Sequence, residues 1–266
     1  MMLLRGPYSP GLNDSRMRAH GDLAAHRKRY FERRPSNLLF LVRSRYQWMN
    51  EYVEGKERVI EIGAGPGFSK EIIRNPKLEL TEIEKYPWVS RALDALAPDL
   101  EDSSVDALIS SHMIHHLAHP PVFFRAMRRV LKPGGVLLIQ EIQTSLLMRA
   151  LLQLMRHEGW SYEVDVFKDD APANDPREPW SANCAIPDLL FRDPERFHAN
   201  VPGFKIVRNE LCEGLIFPLS GGIAAKAPTV NLPFFVLRGV ALLDRLLIAL
   251  APSVFALGRR IVLRKI

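Results

Sequence analysis

Three glycines follow a short apolar stretch in residues 60–68, which read IEIGAGPGF. Gly63, Gly65 and Gly67 alternate with small residues at the point where a strand should pass into a helix. Glycine permits a tight turn there and lets a ligand approach the backbone closely. A helix that follows presents free N–H groups and the positive end of its dipole. The run therefore predicts a cradle for a nucleotide or cofactor, with a purely structural turn as the alternative.

The spacing of these glycines excludes two phosphate-binding motifs. The dinucleotide fingerprint G-x-G-x-x-G would require a glycine at position 68, which is Phe68. A P-loop would require Gly-Lys-Ser/Thr, and Gly67 is followed by Phe68. The observed pattern is instead E-x-G-x-G-x-G, beginning at Glu61.

Strand-like and helix-like segments alternate around this turn. The apolar pattern predicts strands over residues 59–62, 78–83, 92–95, 106–110 and 136–141, and helices over 68–74 and 121–131. Two later strands are expected at 204–211 and 260–265. Such alternation predicts an α/β fold with a doubly wound, mostly parallel sheet of seven strands.

The remaining segments of the chain do not alternate between strands and helices. Residues 1–20 are expected to form a loose arm, and 22–52 a helix, so residues 1–53 are interpreted as a helical N-terminal arm. Residues 54–266 would form the main domain, with insertions at about 143–200 and 212–258 that cap an acceptor site.

Composition narrows the class further. Two cysteines in 266 residues exclude a disulfide framework. We expect a cytoplasmic protein, since no signal peptide and no membrane span of about 18 apolar residues is recognisable. The net charge of +6 comes with basic clusters near both ends, which suit either a phosphate-bearing partner or a solvated helix face.

A carboxylate is expected near the glycine turn. The second predicted strand ends in Thr81-Glu82-Ile83-Glu84, and in a doubly wound sheet its tip lies beside the tip of the first strand. Glu82 is placed to accept hydrogen bonds from both hydroxyls of a ribose, and Glu84 is the local competitor for this role.

Four segments in this order resemble the class I S-adenosylmethionine-dependent methyltransferases, a Rossmann-like family with a domain of methyltransferase type 11. These are VIEIGAGPGF, TEIE, LDALAP–DLEDSSVDALISSHMIHHL and FFRAMRRVLKPGGVLLIQE, within residues 56–142. The resemblance implies S-adenosylmethionine as cofactor and S-adenosylhomocysteine as product. It implies that the cofactor contacts Glu61, Gly63, Ala64, Gly65, Gly67, Glu82, Asp94 and Ser111.

Two of these roles depend on an unusually short connection. Only eleven residues separate Glu82, which would hold the ribose, from Asp94, which would receive the adenine amino group. KYPWVSRAL is too short for the usual helix, and Pro87 opposes one. We therefore expect a direct passage from the second strand to the third.

Four histidines follow the fourth predicted strand in SSHMIHHLAH. If this segment is helical, His112, His115, His116 and His119 share one broad face. His115 and His116 are the catalytic candidates, because one of them could act as a base toward the acceptor; side-chain packing is the alternative. The i, i+4 pairs could chelate zinc, but no H-E-x-x-H motif and no nearby cysteine is present, so no metal site is predicted.

Residues 232–257 are strongly apolar but carry Arg238, Asp244, Arg245 and Pro252. These residues oppose a helix that spans a membrane. A core-forming helical cap is the preferred interpretation. An interfacial helix with basic flanks is the alternative, and it would bring peripheral contact with the inner face of a membrane and favour a lipid-like acceptor.

The predicted function is methyl transfer by in-line displacement to a small-molecule or lipid-like acceptor, in a bacterial biosynthetic pathway. An RNA methyltransferase is a weaker alternative, since no N-P-P-Y or D-P-P-Y tetrapeptide is present and aromatic residues do not interleave with the basic run. Nucleic acid is thus not an expected partner. A non-catalytic, cofactor-binding partner subunit is a second alternative. The sequence does not predict an oligomeric state.

Overall fold

The structure is a computed structural model of the full chain, and it describes residues 6–10, 22–156, 158–178, 181–223 and 229–266. A single seven-stranded sheet lies at its centre, in the order β3-β2-β1-β4-β5-β7-β6. The strands are β1 Val59–Ile62, β2 Leu78–Glu82, β3 Arg91–Ala92, β4 Val105–Ser111, β5 Leu131–Ile142, β6 Phe204–Cys212 and β7 Gly258–Lys265.

Within this sheet, β7 runs against its neighbours. β1 to β5 pair in parallel, while β7 pairs antiparallel with both β5 and β6. The predicted Rossmann-like, mostly parallel, seven-stranded α/β sheet is confirmed.

The central strands are apolar on both faces because helices cover both. Leu108 of β4 belongs to one large buried cluster, whereas its neighbours Ala107 and Ile109 belong to a second cluster on the opposite face. All four residues of β1 are buried. This double burial explains why β1 appears in the sequence as a short apolar run rather than as an alternating one.

The N-terminal segment is helical, but it is not the one continuous helix that the sequence predicts. It comprises α1 Leu23–Lys28, a π-helical turn at Arg29–Arg33, α2 Ser36–Tyr46, a 3-10 turn at Gln47–Met49 and α3 Asn50–Val53. Arg34 has a φ of 50° and ends the first section, and Pro35 immediately precedes α2. Proline cannot donate a backbone hydrogen bond, so the chain turns here and resumes as a new helix.

Two predicted helices near the site are also shorter than expected. The segment after the glycine turn is a 3-10 turn, Phe68–Glu71, instead of a helix over 68–74. The histidine segment is not one helix either: His112 has a φ of 53°, and only Ile114–His116 forms a 3-10 turn. The four histidines therefore do not share one helical face.

The remaining helices lie before β5 and within the two insertions. They are α4 Pro120–Val130, α5 Leu146–Met155, α6 Ile186–Phe191, α7 Pro194–Asn200, α8 Ile216–Ser220, α9 Phe234–Leu250 and α10 Pro252–Phe255. α9 packs Leu237 into a small buried cluster with Leu41 of α2 and Ile216 of α8. Among the residues that the structure describes, no helix combines the length and the hydropathy needed to cross a membrane.

Candidate active site at the carboxyl ends of β1, β2 and β4

The glycine turn has the backbone that its sequence predicts. Gly63, Gly65 and Gly67 have φ values of 66°, 53° and 72°, a region that side chains disfavour. A Cβ on Gly63 would lie 2.7 Å from Cγ of Met113, so this position also lacks room. A Cβ on Gly65 would have Leu23 Cδ2 as its nearest neighbour, at 4.0 Å. The turn therefore presents bare backbone at its middle.

Hydrogen bonds hold this turn against β2 and the N-terminal helices. The Ala64 N–H donates to the Thr81 carbonyl at 2.9 Å. The Trp88 indole N–H donates to the Gly65 carbonyl at 2.8 Å, and Arg27 Nη1 donates to the Pro66 carbonyl at 2.7 Å. These three hydrogen bonds fix the conformation of the turn.

Glu82 lies at the tip of β2, beside the glycine turn. Its carboxylate accepts the Gly65 N–H at 3.0 Å and the Ile83 N–H at 2.8 Å. Partial burial raises its pKa, because desolvation outweighs these two hydrogen bonds. Glu84, the competitor, accepts from the Tyr86 hydroxyl at 3.0 Å instead and does not contact the turn.

Asp94 lies close to Glu82 because β2 passes directly to β3. Glu82 pairs with Ala92, and the Leu93 N–H donates to the Glu82 carbonyl at 2.7 Å. No helix intervenes over residues 83–90, in agreement with the presence of Pro87. Asp94 is exposed at the strand tip and accepts the Leu96 N–H at 2.8 Å.

Glu61 points into the interior beneath the turn. It is fully buried and accepts hydrogen bonds from the Tyr46 hydroxyl, at 2.9 Å, and from the Ser69 hydroxyl. Burial raises its pKa to about 7, since these hydrogen bonds only partly replace water. In the sequence Tyr46 is recognisable only as a member of an apolar helical stripe, and its hydroxyl gives no separate signal.

Ser111 ends β4, beside the tip of β1. Ile62 pairs with Ser110, and Ser111 pairs with Gln140 of β5. The Ser111 hydroxyl lies 3.3 Å from His112 Nδ1 and also interacts with Tyr46. A continuous polar chain therefore runs from Glu61 through Tyr46 and Ser111 to the histidine segment.

This site suits a cationic adenosyl cofactor. Within the described residues, neither Glu61 nor Glu82 forms an ion pair with a basic side chain. Their negative charges also repel each other, which contributes to the raised pKa of Glu61. An ammonium and a sulfonium would supply the missing positive charge, and the bare turn at Gly65 would admit a ligand against the backbone.

A second cluster surrounds the two catalytic candidates. His115 Nδ1 donates to Glu141 at 2.7 Å, and His116 Nδ1 donates to the Ser181 carbonyl at 3.0 Å. Glu158, from the segment after α5, lies 3.7 Å from His115 Nε2 and 3.9 Å from His116 Nε2. The Cys184 thiol donates to Glu158 at 3.2 Å. Sequence reasoning misses Glu158 and Cys184, because only the fold brings them to the histidines.

The two histidines differ in protonation. Burial opposes a charge on His115, but Glu141 and Glu158 outweigh it and raise its pKa to about 10. Burial and the neighbouring His115 charge lower the pKa of His116 to about 4. His112 is held neutral as well, because burial and the charge of Arg45 lower its pKa far below the usual range.

Comparisons with known proteins identify the family of this chain. A family model described as a methyltransferase domain matches residues 17–170. A demethylmenaquinone methyltransferase from Renibacterium salmoninarum is 25% identical over 164 residues, which cover 52% of this chain and 69% of that protein. The crystal structure of a SAM-dependent methyltransferase from Archaeoglobus fulgidus superposes with a TM-score of 0.50 and 18% identity, covering 85% of this chain and 93% of that one. At that identity the structural likeness concerns the fold alone.

Proposed function

Because this chain belongs to the methyltransferase domain family and uses S-adenosylmethionine, we propose that it methylates a lipid-like acceptor at a membrane surface. When bound, S-adenosylmethionine supplies a methyl group on a cationic sulfur that departs as a neutral thioether. The chain's own residues then have to align the acceptor with that methyl group and exclude water, which can be worth about 7–11 kcal/mol.

The proposed cofactor contacts are those that the family resemblance implies, and the geometry of the strand tips supports them. Glu82 would exchange its hydrogen bond from the Gly65 N–H for the ribose hydroxyls, and the exposed Asp94 would receive the adenine amino group. Glu61 would face the ammonium, held in place by Tyr46 and Ser69. The other proposed contacts are Gly63, Ala64, Gly65 and Gly67 in the turn, and Ser111 at the tip of β4.

For the histidine pair we propose a role in positioning the acceptor rather than as free general bases. Each Nδ1 already donates a hydrogen bond, to Glu141 or to the Ser181 carbonyl. These bonds fix both rings in the connection that follows Ser111. A base is required only where the acceptor must lose a proton. His115 is already protonated near neutrality, because its pKa is about 10, and His116 is a weak base, because its pKa is lowered to about 4.

The proposal of a lipid-like acceptor rests on the exposed side of α9. Four large apolar side chains on this helix are 75%, 63%, 56% and 74% exposed, namely Phe235, Leu242, Leu246 and Leu250. Their spacing places them on one side of the helix, which we call the apolar face. No residue that the structure describes covers this face. The other side of α9 packs on α2 and α8, so the helix caps the core on that side only, whereas the preferred prediction is a core-forming cap.

The charges of α9 are arranged for an anionic surface. Arg238 and Arg245 are exposed along one edge of the apolar face. The single acid of the helix, Asp244, is buried and accepts the N–H groups of Gly214, Leu215 and Ile216 at 3.2, 2.7 and 3.1 Å. The helix thus presents only apolar and cationic groups outward, the combination that binds the interface of an anionic bilayer.

Flotation with lipid vesicles tests this proposal. The full chain should float with vesicles that contain anionic phospholipid, and a Leu242→Asp/Leu246→Asp variant should lose at least about tenfold in binding, since each change removes buried apolar area and adds a repelled charge. Val207→Asp, an exposed apolar position on β6, is the matched control and should float like the wild type.

Equal flotation of the double variant and the control would overturn the membrane proposal. Light scattering distinguishes the competing occupant: a wild-type dimer that the double variant converts to monomer would show that the apolar face binds a second copy instead. Demethylmenaquinone, the acceptor in the name of the Renibacterium relative, is a specific candidate to include among the acceptors assayed on vesicles.

A further inference from the structure

We propose that His115, His116 and Glu158 bind a zinc ion. One ligand atom from each residue lies within 4.8 Å of the other two. His115 Nε2 and His116 Nε2 lie 3.7 and 3.9 Å from the two oxygens of the Glu158 carboxylate. Around a tetrahedral zinc with bonds of about 2.0–2.2 Å, neighbouring ligand atoms are about 3.3–3.6 Å apart, so small adjustments complete the site.

The orientation of the two rings is the strongest argument for a metal. Carboxylates and carbonyls only accept hydrogen bonds, so Glu141 and the Ser181 carbonyl require the proton of each neutral ring to be on Nδ1. His116 Nε2 then carries a lone pair, and His115 Nε2 gains one when that ring loses its second proton to the metal's approach. Both Nε2 atoms are the ring nitrogens nearest Glu158. Metal-binding histidines are characteristically held in this way, through their second nitrogen, by a carboxylate or a carbonyl.

The proposed zinc site also concentrates negative charge. The Glu158 carboxylate faces both rings, and the buried Glu141 adds a second negative charge behind His115. Such a grouping is unfavourable in a low-dielectric interior unless a cation joins it. A single proton on His115 is the competing cation, and only a metal ion would bond to both rings and the carboxylate at once.

The donor set selects zinc among common metals. Two imidazole nitrogens and one carboxylate oxygen are the ligands of tetrahedral zinc sites that keep a fourth position open. Mg²⁺ and Ca²⁺ prefer oxygen ligands throughout. The Cys184 thiol would orient the Glu158 carboxylate through its hydrogen bond, at 3.2 Å, rather than bind the ion. Zinc binding would displace any proton on His115 Nε2 to solvent and would leave the Cys184 proton in place.

The ion would fasten two parts of the chain that are distant in sequence. His115 and His116 belong to the connection between β4 and α4, which begins at the candidate cofactor site. Glu158 belongs to the insertion after β5, and Asn183 and Asn174 of the same insertion already donate hydrogen bonds to the His115 carbonyl, at 2.9 and 2.7 Å. The zinc would therefore hold the proposed acceptor cap on the sheet. This inference uses the location of the proposed active site but not the identity of the acceptor.

Cobalt substitution of the chelator-treated full chain provides the test. Titration with Co²⁺ should give an intense visible absorption that saturates at one ion per chain, and Zn²⁺ should abolish it by displacement. His116→Ala and Glu158→Gln should each weaken Co²⁺ binding by about a hundredfold, since each removes a ligand. His198→Ala, a histidine on the exposed side of α7, should bind Co²⁺ like the wild type.

A wild-type chain that gives no saturable absorption would overturn the zinc site, as would equal Co²⁺ affinity in Glu158→Gln and the wild type. Zn²⁺ should also raise the melting temperature of the wild type but not that of Glu158→Gln. Binding of S-adenosylhomocysteine by each variant establishes that it is folded. Vesicle binding through α9 should be unchanged in Glu158→Gln, so failure of the zinc site and failure of the proposed function are distinguishable.

Discussion

The strand tips around Glu61 and Glu82 bury carboxylates, whereas the outer face of α9 exposes apolar side chains. The first region buries negative charge without a basic partner among the described residues, and burial raises the pKa of both carboxylates. The second exposes Phe235, Leu242 and Leu246 to water and places arginines along their edge. Desolvated charge and solvated apolar surface both cost free energy in the isolated chain.

This difference indicates which ligand each region needs. The carboxylates require a cation beside the glycine turn, as a cationic cofactor would supply. The apolar face requires a broad apolar surface with negative charge near its boundary, as an anionic bilayer presents. Variants in each region, together with matched controls, test that contrast.

The largest expected effect is on cofactor affinity. Glu82→Ala should weaken the binding of S-adenosylhomocysteine by about a hundredfold, since two hydrogen bonds from ribose hydroxyls to a carboxylate are worth roughly 3 kcal/mol together. Isothermal titration calorimetry measures the change. Glu84→Ala is the matched control, because Glu84 bonds to Tyr86 instead of the turn, and its affinity should be unaltered. Equal losses in the two variants would contradict the placement of the ribose.

The second effect concerns how α9 is anchored. Asp244→Ala should lower the free energy of unfolding by about 2 kcal/mol, because it leaves three backbone N–H groups without their acceptor. Asp244→Asn should lose less, since its amide oxygen still accepts. Urea denaturation compares the two. A loss in Asp244→Ala no greater than that in Asp244→Asn would show that this anchor does not hold the helix.

The third effect is a pH dependence that arises from Glu61. Without cofactor its pKa of about 7 exceeds the ordinary value of 4.5, so the carboxyl is protonated below neutrality. Affinity for S-adenosylhomocysteine should rise about tenfold between about pH 6 and pH 8, as the carboxylate that attracts the ammonium forms. Glu61→Gln should bind more weakly and show a flat profile.

The same raised pKa has a consequence of known sign for stability. A raised pKa means that the folded state binds the proton more tightly, so Glu61 contributes stability at low pH that is lost as the pH rises through about 7. The unfolding free energy of the cofactor-free wild type should therefore fall, relative to that of Glu61→Gln, as the pH rises from the ordinary pKa of 4.5 to about 7. Parallel curves for the two proteins would contradict a shared origin for the two pH effects.

The smallest effect distinguishes the charge of α9 from its apolar surface. Arg238→Gln and Arg245→Gln should each weaken binding to anionic vesicles by about fivefold, since a basic residue near such a surface contributes about 1 kcal/mol. The loss should disappear at high salt, where exposed charges are screened. Losses of the same size on neutral vesicles would contradict an electrostatic role for these arginines.

The fold is predictable from the sequence where a local pattern determines it. Six of the seven strands are located, because their sequences carry a recognisable apolar pattern. The third strand, expected over residues 92–95, is Arg91–Ala92 and is not buried, so it has little apolar pattern to mark it. The prediction of one long N-terminal helix is wrong. The apolar periodicity of the sequence continues across Pro35, but the helical backbone is interrupted there. The prediction that the four histidines share a helical face is wrong as well. The positive φ of His112 depends on how the chain leaves β4, and nothing in the local sequence indicates it.

The candidate site, like the fold, is predictable from the sequence only where a local pattern determines it. The positions of Glu82 and Asp94 relative to the glycine turn follow from strand order, which the rhythm of strands and helices indicates. Tyr46, Glu158 and Cys184 reach the site through long-range contacts, and a single sequence contains no pattern that pairs them with Glu61 or His115. For the same reason the proposed metal ligands cannot be assembled from histidine spacing alone.

Transfer of a labelled methyl group from S-adenosylmethionine is the decisive assay for a lipid-like acceptor. The full chain would be incubated with anionic vesicles made from a bacterial lipid extract, and the products would be partitioned between organic solvent and water. We predict that label accumulates in the organic phase, and that Leu242→Asp/Leu246→Asp reduces it while cofactor affinity stays at the wild-type value. Label that appears only in the aqueous phase, at equal rates with and without vesicles, would contradict a lipid-like acceptor.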